Sequence, residues 1–279
     1  MSATQRHLVI AHFEKVAPEY ASFYTGDRSE AHSFNIRLER VIEMLPERFD
    51  SLLDLGCGPG LLLQRLSPRV GSDGSPSRLI GLDFAYRMLQ EAQRRTTQAN
   101  RQRCHVLQSD VARLPFAGGT QDAVVCMGLM EYLDDERAVL GEIVRVLRDG
   151  GMAIITLPNY SSVYRRWHRV LNRVFIVLRR AFPRSRRLQN LEFMVGPFTK
   201  GIAHREYVEA HYRQALKGHG LDVRDTCYYN FKIFLSPFDK SFPRLTVVVS
   251  RRLEWLGRTW IGGLLATAFI VKAQKREGR

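Results

Sequence analysis

The stretch LLDLGCGPGLL, residues 52–62, decides the reading of this 279-residue chain. A short apolar run ends around Asp54, and Gly56, Gly58 and Gly60 alternate through a turn into a second apolar pattern. Strand, glycine turn and helix start in that order let backbone approach a ligand closely and aim exposed N–H donors at it. A strongly polar or anionic ligand suits such a loop. The dinucleotide fingerprint G-x-G-x-x-G is not met, because Leu61 stands where the third glycine belongs.

Outward from this loop, short apolar runs alternate with helical patterns. SLLDL, LIGLD, CHVLQSD, DAVVCM and GMAIITL read as strands, with helices expected over Gly60–Leu66, Tyr86–Ala99 and Asp135–Leu147. This is the rhythm of a parallel sheet built from βαβ units. It breaks after Pro158, resumes with a helix near Arg205–Gly218, and ends with strands near Leu221–Phe231 and Ala266–Ala273. The chain therefore reads as one domain over 1–279. Residues 1–50 form a helical lid, 51–158 the core, 159–204 a basic insertion, and 205–279 the rest of the sheet with a second insertion at 232–262.

The spacing D-x-G-x-G-x-G, together with acids ending the next two strands at Asp83 and Asp110, resembles the class I S-adenosylmethionine-dependent methyltransferases. The likeness is good over roughly residues 50–158 and loose elsewhere. LPFAGGTQDAVVCMGLMEYLDD, LGEIVRVLRDGGMAIITLPN and the N-terminal FEKVAPEYASFY resemble the subgroup containing ubiquinone, menaquinone and natural-product methyltransferases. The resemblance implies an α/β, Rossmann-like, doubly wound and mostly parallel seven-stranded sheet with helical lid insertions.

It also implies S-adenosylmethionine as cofactor. Gly56, Cys57, Gly58 and Gly60 would line its methionine part, and Asp54 would orient the loop or a bound water. Asp83 would take both ribose hydroxyls, since a carboxylate offers acceptors to two neighbouring O–H donors. Asp110 would accept from the adenine amino group, with Phe84 and Val111 against the ring. Cys126 and Met127 would meet the amino acid end, and Phe13 and Tyr20 would close over the whole. SPRVGSDGSPSR makes the connection between the first two strands longer than is usual in the family.

Methyl transfer from a sulfonium asks mainly for alignment and exclusion of water, and an oxygen or carbon nucleophile also needs a base. His12, His168 and His204 lie in segments expected near the mouth of the site and are the candidate bases.

The net charge of +14 is concentrated: residues 159–205 hold eleven Lys or Arg against one acid, Glu192. Within that block YRRWHRVLNRVFIVLRR, residues 164–180, places Val163, Trp167, Val170, Leu171, Val174, Phe175, Leu178 and Phe182 on one helical stripe. Arg165, Arg166, Arg169, Arg173 and Arg180 fall beside or opposite it. Segregation of this kind fits a lid over an apolar pocket or a helix at an anionic membrane interface. Leu245, Val248, Val249, Leu253 and Leu256 repeat the pattern beside Arg244, Arg251 and Arg252. The longest apolar run, Trp260–Val271, is short of the roughly 20 residues that span a bilayer, so membrane contact would be peripheral.

The acceptor expected from these features is a hydrophobic small molecule or lipid-like compound, methylated at oxygen with carbon and nitrogen left open. An N/D-P-P-Y/F sequence of amino-directed nucleic-acid enzymes is absent after the fourth strand, where CMGLMEY stands, so a nucleic-acid substrate is disfavoured. Two other readings stay open: an RNA methyltransferase, supported by charge, and a non-catalytic scaffold. The four cysteines show no paired or metal-binding spacing, so the chain reads as cytoplasmic, at most peripheral at an inner membrane surface, and free of metal.

Overall fold

The structure is a computed structural model and describes residues 3–25, 29–69, 78–100, 103–183, 185, 202, 204–232, 234 and 242–278. The connection at 70–77, the end of the first insertion and most of FKIFLSPFDKSF lie outside these. Helices α1 (Ala3–Tyr20) and α2 (Ser29–Met44) precede β1 (Ser51–Leu55), α3 (Leu61–Leu66), β2 (Arg78–Asp83), α4 (Tyr86–Asn100), β3 (Cys104–Gln108) and β4 (Gln121–Cys126). A 3-10 turn at Met130–Tyr132 leads to α5 (Arg137–Val146), β5 (Leu147–Pro158) and α6 (Val163–Ala181). The chain closes with α7 (Glu209–Gly218), β6 (Leu221–Phe231), α8 (Pro243–Leu253), α9 (Trp260–Leu265) and β7 (Ala266–Lys275).

The strands form one seven-stranded sheet in the order β3-β2-β1-β4-β5-β7-β6. All pairs from β3 to β5 are parallel, while β7 runs antiparallel to both β5 and β6. The order reverses between β1 and β4, and in such sheets ligands bind at that switch point, outside the carboxyl ends of the strands. The glycine turn leaves β1 at that point.

Both faces of the sheet are covered, which explains why β1 and β4 are buried throughout rather than alternately. Leu53 and Leu55 of β1 and Val124 of β4 join Leu140 and Ile143 of α5 in one core layer. Leu52, Ala123 and Val125 face the opposite way and pack with Val41 of α2 and Leu62 and Leu66 of α3. Period-two alternation thus divides a continuous apolar run between two cores. The element α2, expected only as part of a lid, is a core helix through Ile36, Leu38, Val41 and Met44.

The basic helix α6 is oriented by contacts from distant parts of the chain. Arg165 donates through Nε to the Thr267 carbonyl at 2.7 Å and through a terminal nitrogen to Glu206 at 3.0 Å. Arg169 pairs with the same Glu206 and lies 4.1 Å over the Tyr160 ring. These two arginines face the protein, whereas Val163, Trp167, Val170, Val174 and Val177 are exposed. Among the described residues, no helix is long and apolar enough to cross a membrane.

Candidate active site

At the end of β1, Gly56, Gly58 and Gly60 all have positive φ, +70°, +52° and +77°, conformations that a side chain strains. Gly60 has a second constraint: a Cβ there would lie 2.9 Å from the Ala92 Cβ on α4. The loop is tied to β2 by the Cys57 N–H, which donates to the Leu82 carbonyl at 2.8 Å. Asp83, at the end of β2, accepts from the Gly58 N–H at 2.9 Å and the Ala85 N–H at 2.8 Å, one at each oxygen. A carboxylate oxygen can accept more than one bond, so Asp83 keeps capacity for a ligand. Burial raises its pKa, and the three backbone donors of Ala85, Gly58 and Phe84 oppose that rise.

Asp54 is the electrostatic exception in this neighbourhood. It is 1% exposed, and neither carboxylate oxygen has a hydrogen-bond partner. Burial, reinforced by the Asp83 charge and opposed by Arg37, pushes its pKa up to about 7. A buried carboxylate without donors is costly to keep ionised, so the site is complementary to a ligand that brings cationic or N–H donors.

A cleft at this loop is lined by Gly56, Cys57, Gly58 and Asp83 on one side and by Phe13, Tyr20, Tyr24 and Tyr132 on the other. Met127, Gly128 and Leu129 complete it after β4. The aromatic wall is continuous, with ring centroids of Phe13 and Tyr132 5.3 Å apart and those of Tyr20 and Phe34 5.8 Å apart. Of the other expected residues, Cys126 is buried in the sheet core, Val111 packs against that core, and Gly60 supports the loop from behind. Asp110 and Phe84 come together at one end of the lid helix. Arg6 of α1 contacts Asp110 at 2.9 Å and places its guanidinium 4.4 Å over the Phe84 ring.

The three histidines are dispersed around this cleft, and none belongs to the lining just described. His204 stacks edge-on to Tyr132 at 4.7 Å, and His12 lies beside Phe13 at 5.3 Å, both behind the aromatic wall. Desolvation, followed by the Arg165 and His12 charges, holds the His204 pKa down at about 4, although the residue as a whole is exposed. His168 packs on Tyr164 at 4.5 Å.

Two charged residues at the cleft were not singled out in the sequence. Arg37 reaches into the cleft from α2 and passes over Gly128, where a Cβ would lie 2.6 Å from its terminal nitrogen. Its signal was legible: it interrupts the apolar stripe of Phe34, Leu38, Val41 and Leu45, where a guanidinium has no business without a ligand or counter-charge. Burial disfavours the Arg37 charge, but Tyr24, Tyr20, Tyr229 and Glu131 around it more than compensate. Glu131 is the second, an acid embedded in the apolar run GLMEYL and 9% exposed.

Arg37 also borders a second cavity of about 130 Å³, on the far side from the glycine loop. Its lining is mixed: Glu131, Thr156, Arg165, Tyr229 and Thr267 stand beside Phe34, Leu157, Pro158 and Ala268. No group of three or more His, Cys, Asp or Glu residues suited to a metal occurs among the described residues.

Residues 52–151 match a methyltransferase domain family. The demethylmenaquinone methyltransferase of Lactococcus lactis is 35% identical over 120 residues, covering 41% of this chain and 46% of that protein. The counterpart from Thermus thermophilus is 33% identical over 150 residues, covering 51% and 62%. The chain spans less than half the length of the first curated relatives it matches, the other being a 37.1 kDa protein of a Streptomyces fradiae transposon at 42% coverage. Among solved structures, magnesium protoporphyrin IX methyltransferase of Synechocystis with bound S-adenosylhomocysteine superposes with a TM-score of 0.59 at 14% identity, covering 97% of this chain and 99% of that one. A chain from the Haloferax volcanii complex of the Trm112 activator with a methyltransferase gives 0.62 at 22% identity, covering 97% and 99%. The fold is therefore that of class I methyltransferases.

Proposed function

From that fold, we propose that the protein transfers a methyl group from S-adenosylmethionine to the hydroxyl oxygen of a hydrophobic, lipid-like small molecule. The observation that carries this reading is the apolar surface at the cofactor edge of the sheet. On α6, Val163, Trp167, Val170, Val174 and Val177 are exposed along one face, with Arg166, Arg173 and Arg180 exposed along its border. The helix α9, which packs against α6, leaves Trp260 77% and Leu264 41% exposed. Both helices join the sheet where β5 ends and β7 begins, since Pro158 pairs with Ala268. An in-plane helix with an apolar face and a basic border suits the surface of an anionic membrane, from which a greasy acceptor would be drawn. On this reading the protein would work at the cytoplasmic side of such a membrane, held peripherally.

The bound cofactor supplies an electrophilic methyl carbon. The chain's own groups bind and orient. Asp83 is suited to the ribose hydroxyls, the unpaired Asp54 to the ammonium end or a water bound there, and Arg37 to the carboxylate. The wall of Phe13, Tyr20 and Tyr132 excludes water from the reacting centre. His12, His168 and His204 remain candidate bases by position, His12 and His204 being in ring contact with Phe13 and Tyr132 of the cleft wall.

The test is to incubate the protein with methyl-labelled S-adenosylmethionine and a whole-cell extract, then partition the products. Label in the organic phase is expected. Label sensitive to ribonuclease would overturn the acceptor class and give the basic block to phosphate instead.

A further inference from the structure

The second cavity has a feature that the cofactor does not explain. Glu131 lies on its wall with one carboxylate oxygen buried and without a hydrogen-bond partner, and among the described residues it is in no ion pair. It is flanked in sequence by Leu129 and Tyr132, which line the cofactor cleft, so it sits at the boundary of the two spaces. Arg37 borders both. Thr156, facing the second cavity, is itself fixed, because its hydroxyl accepts the Gly128 N–H at 2.9 Å. Arg165 is held by Thr267 and Glu206 with its fork at the cavity wall.

The geometry points to this cavity as the site for the acceptor's reacting head, a single ring bearing an acidic hydroxyl of the phenol or enol kind, with Glu131 as the catalytic base. The inference rests on the methyl-transfer reading above and adds the base and the acceptor class to it.

Size and charge carry the argument. A volume of about 130 Å³ is close to the roughly 150 Å³ cavity that holds one benzene ring, and far too small for a whole lipid. The head would enter and the apolar remainder would stay toward the exposed helices. A carboxylate is a weak base, with an ordinary pKa of about 4.3, so it can relieve a phenol of about 10 far more readily than an aliphatic hydroxyl near water's 15.7. Two guanidiniums at the same wall favour an oxygen that becomes anionic. Burial, opposed by a backbone donor and by Arg37 and Arg165, raises the Glu131 pKa and makes it a better proton acceptor. The tyrosines near it, Tyr20, Tyr132, Tyr207 and Tyr229, all have pKa values raised mainly by burial and stay neutral.

The step balances. The acceptor's O–H bond breaks and its proton passes to the Glu131 carboxylate while the oxygen bonds to the methyl carbon. The methyl–sulfur bond breaks with its electron pair left on sulfur, giving a neutral thioether, and Glu131 later returns the proton to water.

The experiment uses full-length protein saturated with S-adenosylhomocysteine and the probe 4-nitrophenol at pH 8.5, where the free probe is the phenolate. Calorimetry in two buffers of different ionisation enthalpy counts protons. Wild type is expected to take up close to one proton per probe bound, because a phenolate and the Glu131 carboxylate cannot face each other without one. E131Q is expected to take up none, to bind S-adenosylhomocysteine as wild type does, and to turn over phenolic acceptors about 100-fold more slowly. The E131D variant, which keeps the carboxyl group, should restore the proton uptake. Absence of probe binding in wild type, or equal proton uptake in E131Q, would overturn the assignment. Failure of wild type to bind S-adenosylhomocysteine at all would instead remove the methyltransferase reading beneath it.

Discussion

The two sides of the cleft are built in opposite ways. The cofactor side comes from consecutive strand ends: the loop after β1, Asp83 after β2 and the segment Met127–Leu129 after β4. The acceptor side gathers Arg37 from α2, Glu131, Thr156 from β5, Arg165 from α6, Tyr229 from β6 and Thr267 from β7. A binding surface made of successive βα turns is a local property of the chain. One assembled across the whole sheet depends on how every helix is seated, and it is where a shared fold can be given different substrates.

The largest expected effect lies on the cofactor side. Asp83→Ala removes the acceptors for two hydroxyl donors and releases Gly58 N–H from its 2.9 Å bond, so S-adenosylhomocysteine affinity should fall about 100- to 1000-fold by calorimetry. Unchanged affinity would remove Asp83 from the site. Arg37→Met tests the residue that joins the two sides. It should weaken S-adenosylhomocysteine about tenfold to 100-fold through loss of the carboxylate's partner, and it should also weaken the phenolic probe. An effect on one ligand alone would separate the two cavities functionally.

The unpaired Asp54 predicts a pH dependence whose sign follows from its raised pKa of about 7. The folded, cofactor-free protein favours the neutral acid. The stability it contributes is therefore full below the unfolded carboxylate pKa of about 3.9 and is lost as pH rises through about 7. Cofactor-free Asp54→Asn should accordingly melt a few degrees higher than wild type at pH 8, with a gain that shrinks as pH falls and vanishes below about 3.9. For a ligand that needs the ionised form, affinity should fall as pH drops below about 7, by up to tenfold per unit, and flatten above it. A flat profile across that range would mean that Asp54 does not meet the charged end of the cofactor.

The smallest effect is expected on the acceptor side's outer surface. Val170→Asp with Val174→Asp adds charge to an exposed face without touching either cavity. Sedimentation with phosphatidylglycerol vesicles should drop several-fold while S-adenosylhomocysteine binding is unaffected. Equal sedimentation of wild type with neutral vesicles and in high salt would refute the role of Arg166, Arg173 and Arg180.

Much of the architecture was legible in the chain before any tertiary contact was known. β1 falls on SLLDL and β6 on Leu221–Phe231 as read, and the other strands shift by a few residues at their ends. The glycines were read as a turn that lets backbone approach a ligand, and the structure adds that Gly56, Gly58 and Gly60 all have positive φ. Asp83 was named through the family resemblance, and the structure sets it against the glycine loop, accepting from the Gly58 N–H. Arg37 and Glu131 were not read, although each is a charge set within an apolar pattern. A search for catalytic chemistry among histidines passed over them, because histidine is the usual group with a pKa near neutrality and burial can bring a carboxylate into the same role.

The sequence by itself determined the strands and the glycine turn that leaves β1, because strand pattern and glycine conformation are set by forces acting over a few residues. Only the tertiary structure decided which face of α6 meets the protein. Its moment is strong in either orientation, and the choice rests on Glu206 and Thr267, 41 and 102 residues from Arg165. The same holds for the second cavity, whose lining comes from elements between α2 and β7 and whose charges, Arg37, Glu131 and Arg165, meet only when the fold brings them to one wall.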